Sequence, residues 1–297
     1  MAQVRANGIT IEYEEAGDGA GEPLLLIMGL SAQLIAWPDG FVNELVQRGF
    51  RVVRYDNRDA GLSTHSDQPP PSRRQLLAAI VLKRPLDPPY HLADLTDDAA
   101  GLMEALSIES AHVVGASMGG MIAQGLAITH PERVRSLTSI MSNTGDGKHG
   151  RPSRRLLAKL FWIQRRMGTT DPIGAGVEAW RLISGPHFDE AATRDMVVRA
   201  QARSNDPDAG SRQSAAIAAA PDRTEGLRRL RRPVLVVHGL LDRLVKPSGA
   251  TATAEAIPGA TLVMFPDMGH DLPAPRWSEL ADAIRINANR ATRIATG

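Results

Sequence analysis

The chain of 297 residues contains no cysteine. Disulfides, thiolate zinc sites, iron–sulfur clusters and a cysteine nucleophile are thereby excluded together. Lysine is scarce, confined to Lys83, Lys148, Lys159 and Lys246, so the basic charge rests almost wholly on arginine. An excess of either charge is also missing, with 34 Lys+Arg against 33 Asp+Glu and a net charge of +1. Nucleic-acid surfaces need a concentrated basic excess, so no nucleic-acid partner is expected. Long apolar runs are lacking too. A stretch such as Leu24 to Met28 falls far short of the roughly 20 residues a membrane span requires, so no stable membrane insertion is expected. Met1 to Glu15 alternates polar and apolar residues, with no basic segment leading into an apolar one. That is unlike a secretory signal, and the expected location is the cytoplasm.

What is present is a hydrophobic fraction of 43%, enough for a substantial core and incompatible with wholesale disorder. At roughly 150 residues per domain, the length implies two domains or one domain with a large insertion. Short apolar runs alternate with helical patterns in the first half. Strands are expected at Ile9 to Glu14, Leu24 to Met28, Arg51 to Tyr55, Ala111 to Gly115 and Val134 to Met141. Helix periodicity runs from His91 to Leu106, and again from Met118 to His130, where Pro131 stops it. Such alternation predicts a mostly parallel sheet flanked by helices.

From about Asn143 to Arg228 the strands disappear. Helical stretches are read at Arg154 to Met167, Val177 to Ser184, Asp189 to Ala202 and Gly210 to Ala219. Alternation resumes with a strand at Pro233 to His238, a helix at Ser248 to Ile257, a strand at Thr261 to Phe265 and a helix from Arg276 to about Ala288. The reading is an α/β core in two parts, 1–142 and 229–297, with a helical insertion at 143–228. The Pro-rich stretch Gln68 to Pro71, with Pro85, Pro88 and Pro89 beyond it, reads as a surface excursion around one short helix.

The strongest chemical signal is Gly115-Ala116-Ser117-Met118-Gly119, a G-x-S-x-G set between an expected strand and an expected helix. A nucleophile on so tight a turn occupies a strained backbone, and side chains at the glycine positions would collide with neighbouring elements. The helix that starts there aims N–H groups at the site. A serine hydroxyl needs a base. Of the eight histidines, His270 is favoured, because it lies in the loop between the last strand and the last helix, at the carboxyl end of the sheet. His238, at the end of a strand, is the second choice. The carboxylate that fixes the imidazole tautomer is read as Asp242, one helix and one strand before His270, with Asp146 as its competitor. Asp267 is too near His270 in sequence to be the first choice.

These residues carry a resemblance. Leu26-Ile27-Met28-Gly29 with Trp37-Pro38, Val53 to Asp59, the Ser117 elbow and Met268-Gly269-His270 resemble an α/β-hydrolase with a helical cap inserted after strand six, and in particular actinobacterial esterases of the aclacinomycin methylesterase type. The chain order Ser117, Asp242, His270 matches that fold. The resemblance implies an oxyanion hole made of the backbone amides of Leu30 and Met118. Met28 stands where the common pattern has histidine, which alters how the loop is held rather than the donor itself. It leaves the cap largely unmatched.

Met28 and Trp37 are candidate substrate-binding residues, with core packing an equal reading for Trp37. Asp56 to Ser63 reads as a turn locked by an ion pair of Arg58. In the insertion, Lys148, Arg151, Arg154, Arg155, Lys159, Arg165 and Arg166 alternate with Leu156, Leu157, Leu160, Phe161, Trp162 and Ile163. This is read as a cap helix with its apolar side on the core and its basic side in solvent, in preference to a membrane-surface helix. Gly145 to His149 lacks the P-loop spacing, no H-E-x-x-H occurs, and no G-x-G-x-x-G follows the first strand. Neither metal nor cofactor is expected. The expected function is hydrolysis of small-molecule carboxylic esters by a Ser117–His270–Asp242 triad. Thioester or lipid hydrolysis and cofactor-free perhydrolysis are alternatives on the same residues, and a non-catalytic ligand-binding role is more distant. The acyl and alcohol groups and the oligomeric state are not legible.

Overall fold

The computed structural model describes residues 1–82, 84–167 and 170–295. Strands β1 (Ala2–Ala6), β2 (Ile9–Ala16), β3 (Glu22–Ile27), β4 (Phe50–Tyr55), β5 (Ala111–Ala116), β6 (Val134–Ile140), β7 (Val234–Gly239) and β8 (Thr261–Phe265) form one sheet. Their order is β1-β2-β4-β3-β5-β6-β7-β8. β1 pairs antiparallel with β2, and β2 antiparallel with β4, while every pairing from β4 to β8 is parallel.

The parallel strands read as unbroken apolar runs because both faces of the sheet are covered. Leu24 and Leu26 enter one core cluster while Leu25 and Ile27 enter the other, and Val114 and Val113 divide the same way. Helices α1 (Asp39–Gln47) and α11 (Trp277–Ala295) cover the first face with Phe41, Leu45, Leu280 and Ile284. Helices α3 (Leu92–Ala105), α4 (Met118–Thr129) and α10 (Ser248–Ala256) cover the second with Leu95, Leu102, Ile122, Leu126 and Ala250. Helix α2 (Arg73–Leu82) lies within the Pro-rich excursion.

Between β6 and β7 the chain forms α5 (Arg154–Met167), α6 (Pro172–Ile183), α7 (Glu190–Arg203), α8 (Ala209–Ala219) and α9 (Thr224–Arg228). Helix α6 starts before the Val177 at which apolar periodicity begins. Pro172 is preset for a first helical position, and the Asp171 carboxylate accepts the Gly174 N–H at 2.8 Å. Asp189 starts α7 in the same way, accepting the Ala192 N–H at 2.9 Å. Helices α8 and α9 return to the core, placing Ala216 and Leu227 in the cluster under α3 and α4. In α5, Leu156 and Ile163 are buried, and Arg154, Arg155, Lys159 and Arg165 face solvent together with Leu157 and Phe161. The side chain of Arg166 lies outside the described residues.

Two elements, β1 and α9, carry little sequence signal. β1 exposes most of its side chains and is held by its pairing with β2, and its alternation of Ala2, Val4 and Ala6 with polar residues is too small in apolar bulk to mark a strand. The short α9 buries Leu227 alone. Helix α11 continues to Ala295, beyond the expected end near Ala288. Among the described residues no helix is long and apolar enough to cross a membrane.

Candidate active site

Ser117 stands between β5 and α4 with φ 57° and ψ −118°. A non-glycine residue in that region is strained by about 1–3 kcal/mol and needs surroundings that hold it. Two hydrogen bonds do so: the Ser117 N–H donates to the Ile140 carbonyl at 2.9 Å, and Ser142 Oγ donates to the Ser117 carbonyl at 2.8 Å. The elbow closes because the residues two before and two after Ser117 have no side chain. A Cβ on Gly115 would lie 2.0 Å from the Gly119 carbonyl oxygen, and one on Gly119 would lie 2.0 Å from that of Ile27.

His270 follows β8, and its N–H donates to the carbonyl of Ile183 at the end of α6 at 2.8 Å. Its Nε2 is 2.9 Å from Ser117 Oγ, and its Nδ1 is 2.7 Å from Asp242 Oδ2. Asp242 lies in the turn after β7, where its Oδ1 accepts the N–H groups of Leu244 at 2.8 Å and Val245 at 2.9 Å. Asp146 is elsewhere, accepting the N–H groups of Lys148 and His149 and pairing with the His149 ring. His238 is fully buried behind the site and bonds the Val245 carbonyl through Nε2 at 2.7 Å. Asp267 is paired with Arg276 and His187, whose hydrogen bonds hold its carboxyl down to about 2.

Gly29 brings the end of β3 against the elbow, since a Cβ there would lie 3.0 Å from Ser117 Cβ. The next residue is Leu30. As the first residue of α4, Met118 has an N–H with no intrahelical acceptor. Among the described residues none accepts from the N–H of Leu30 or Met118. Met28 lines the cavity above Ser117, and its carbonyl accepts from Asn57 Nδ2 at 2.9 Å.

Trp37 is not at the cavity. It is fully buried in the core cluster under α1, stacked on Phe41 with ring centroids 5.9 Å apart, and its carbonyl accepts from Arg54 at 2.7 Å. The expectation of a substrate contact is corrected by that packing, which turns the indole into the core. Arg58 makes a bidentate pair with buried Asp98, both bonds 2.6 Å long. Supports such as Asn57 and Ser142 carry no local signal, because each acts on a carbonyl distant in sequence.

The cavity over Ser117 and His270 has a volume of about 1460 Å³. The insertion lines it with Leu160, Trp180, Phe188 and Met196, and the core with Met118 and Met121. Elsewhere Asp59, His65 and Asp206 come together in a grouping able to hold a cation. The Arg212 guanidinium already supplies the positive charge there, bonding both carboxylates.

A profile of the alpha/beta hydrolase fold matches residues 22–274. The rhodomycin D methylesterase DauP of Streptomyces sp. (strain C5) is 32% identical, over 96% of this chain and 96% of the relative. The rhodomycin D methylesterase DnrP of Streptomyces peucetius is 31% identical over the same shares. Among solved structures, the enol-lactonase from Burkholderia xenovorans LB400 aligns with a TM-score of 0.70 at 23% identity, covering 98% of this chain and 100% of that one. That last likeness is one of fold. The chain belongs to the α/β-hydrolase fold family.

Proposed function

We propose that the protein cleaves carboxylic esters through an acyl-enzyme formed on Ser117, and that its substrates are methyl esters of bulky, largely apolar acids. It is a carboxylic ester hydrolase of the α/β-hydrolase family, in keeping with relatives that are named methylesterases. The observation that carries the mechanism is the unbroken hydrogen-bond chain from Asp242 through His270 to Ser117 at the base of the cavity. A cavity of about 1460 Å³ lined by Leu160, Trp180, Phe188 and Met196 supports a bulky apolar acid. Residues 143–228 act as the cap on a core formed by 1–142 and 229–297.

Ser117 Oγ attacks the ester carbonyl while His270 Nε2 takes the hydroxyl proton, and Asp242 holds the imidazole tautomer and stabilises the imidazolium. The Leu30 and Met118 N–H groups receive the negative oxygen of the tetrahedral intermediate, and loss of one such donor costs about 3–4 kcal/mol of transition-state stabilisation. Collapse breaks the bond to the alkoxy oxygen, which leaves as methanol with the proton from His270. Water, deprotonated by His270, then attacks the acyl-enzyme and releases the acid.

The test is intact-protein mass spectrometry after a fluorophosphonate, with Ser117→Ala and His270→Ala alongside. A single adduct on Ser117, absent from both variants, is expected. Ester hydrolysis by Ser117→Ala should fall by a factor on the order of 10⁶. Retained turnover in that variant overturns the mechanism. A series holding an aromatic acid constant while lengthening the alcohol from methyl to butyl tests the substrate class, with methyl expected to be fastest.

A further inference from the structure

We infer that Gln213, on helix α8 of the insertion, is a positioning residue for the loop that carries the Leu30 amide. The inference rests on the proposed role of that amide in holding the oxyanion. Gln213 is fully buried. Its Oε1 accepts the Ser31 N–H at 2.7 Å, and its Nε2 donates to the Arg58 carbonyl at 2.8 Å. One side chain thus joins the insertion, the loop after β3 and the loop after β4.

Ser31 needs such a hold. Its φ is 58°, in the left-handed region that a side chain disfavours. Helix α8 meets it along one face: Gly210, one turn before Gln213, is so close that a Cβ there would lie 2.6 Å from Ser31 Oγ. Elsewhere the loop is anchored by Asn57 at the Met28 carbonyl, 2.9 Å, and by Asp56 at the Leu34 N–H, 2.6 Å. Between those anchors, Gln213 holds the Leu30–Ser31 peptide. Leu30 sits between that peptide and the one bearing its own N–H. With the Gln213 bond gone, Ser31 is able to relax toward negative φ, the dihedrals of Leu30 follow, and the Leu30 N–H is re-aimed. A donor that must point at an oxygen present only in the tetrahedral state loses its effect on kcat when mis-aimed, with little effect on ground-state binding.

The residue type matters. The position requires an acceptor toward Ser31 and a donor toward Arg58, which an uncharged amide supplies together. Gln213→Met keeps the length and removes both bonds, whereas Gln213→Glu keeps both: fully buried against the Arg58 carbonyl, its carboxyl takes a proton and presents C=O toward Ser31 and O–H toward Arg58. The experiment measures kcat and KM on a methyl ester, expressed per Ser117 titrated by fluorophosphonate so that misfolded protein drops out. Phenylboronic acid, which forms a tetrahedral anion on an active serine, is measured beside the product carboxylate. Gln213→Met is expected to lose about 10²-fold in kcat, with KM little changed. Boronate affinity should fall in parallel while carboxylate affinity holds, and Gln213→Glu should recover most of the loss. Unchanged kcat per titrated serine, a rise in KM alone, or a Glu variant no better than Met overturns the inference. Failure of the wild-type protein to label at Ser117 removes the mechanism itself, a result distinct from any of these.

Discussion

Asp242 is shared by two buried histidines: its Oδ2 lies 2.7 Å from His270 Nδ1 and 3.3 Å from His238 Nε2. Burial pushes its carboxyl up, but hydrogen bonds from His238 and His270 outweigh this and hold it below the usual carboxylate range. The group stays ionised at neutral pH, suited to orienting His270 without taking its proton. Asp242→Asn should lower kcat by about 10⁴-fold in an ester assay. Asp146→Asn, whose carboxylate serves its own turn and His149, should leave kcat within a factor of about two. The opposite result in the two variants would assign the acid to Asp146.

Trp37 offers a second test, because its packing separates stability from substrate binding. Trp37→Ala is expected to cost about 3–5 kcal/mol in urea denaturation, with KM of the folded fraction unchanged. A shifted KM at full stability would return the indole to the substrate pocket.

Arg212 ties α8 to the loop after β4. Its guanidinium bonds both oxygens of Asp59 at 2.8 Å, and Asp59 also receives the Tyr90 hydroxyl at 2.6 Å and the Ser66 N–H at 2.8 Å. Removing the cation leaves a buried carboxylate uncompensated, so Arg212→Met should destabilise by about 3–5 kcal/mol. Arg212→Met combined with Asp59→Asn should recover part of that loss in the same denaturation assay. A double variant worse than the sum of both single ones rules out charge imbalance as the cause.

His112 sets a pH dependence of stability. Burial against Phe50 pushes it down to about 4 from an unfolded value of 6.5, and Glu22 offsets this only in part. The unfolded chain therefore binds a proton that the folded one refuses between those two pH values. Stability from this group is fully present above pH 6.5, falls as the pH drops toward 4, and changes no further below that. The loss amounts to about 3 kcal/mol. His112→Asn should flatten urea midpoints across that window. Equal slopes in variant and wild type would place the acid sensitivity elsewhere.

Much of this architecture is legible in the chain itself. The runs Leu24 to Ile27 and Val234 to Val237 are apolar at every position because each strand is covered on both faces, and that signature survives in one dimension. The Ser117 elbow was equally plain, since its steric demand falls on residues two positions away. Asp242 and His270 were placed at strand ends, where the carboxyl edge of a parallel sheet gathers its side chains.

Tertiary structure decided what depends on chain segments far apart. Sequence left Asp242 and Asp146 as rivals; their separation followed from which loop reaches the His270 ring, a matter of sheet order. Trp37 and Met28 looked alike as pocket candidates, yet Met28 faces the cavity and Trp37 the core. Gln213 has no signal at all: one amide in an alanine-rich helix, it acquires meaning only where α8 lies against Ser31. Local sterics and apolar periodicity are written along the chain, and sequence by itself determined most of the elements and the tight turn at Ser117. Hydrogen-bond partnerships between distant loops depend on how the insertion sits on the sheet, and only the folded chain decides them.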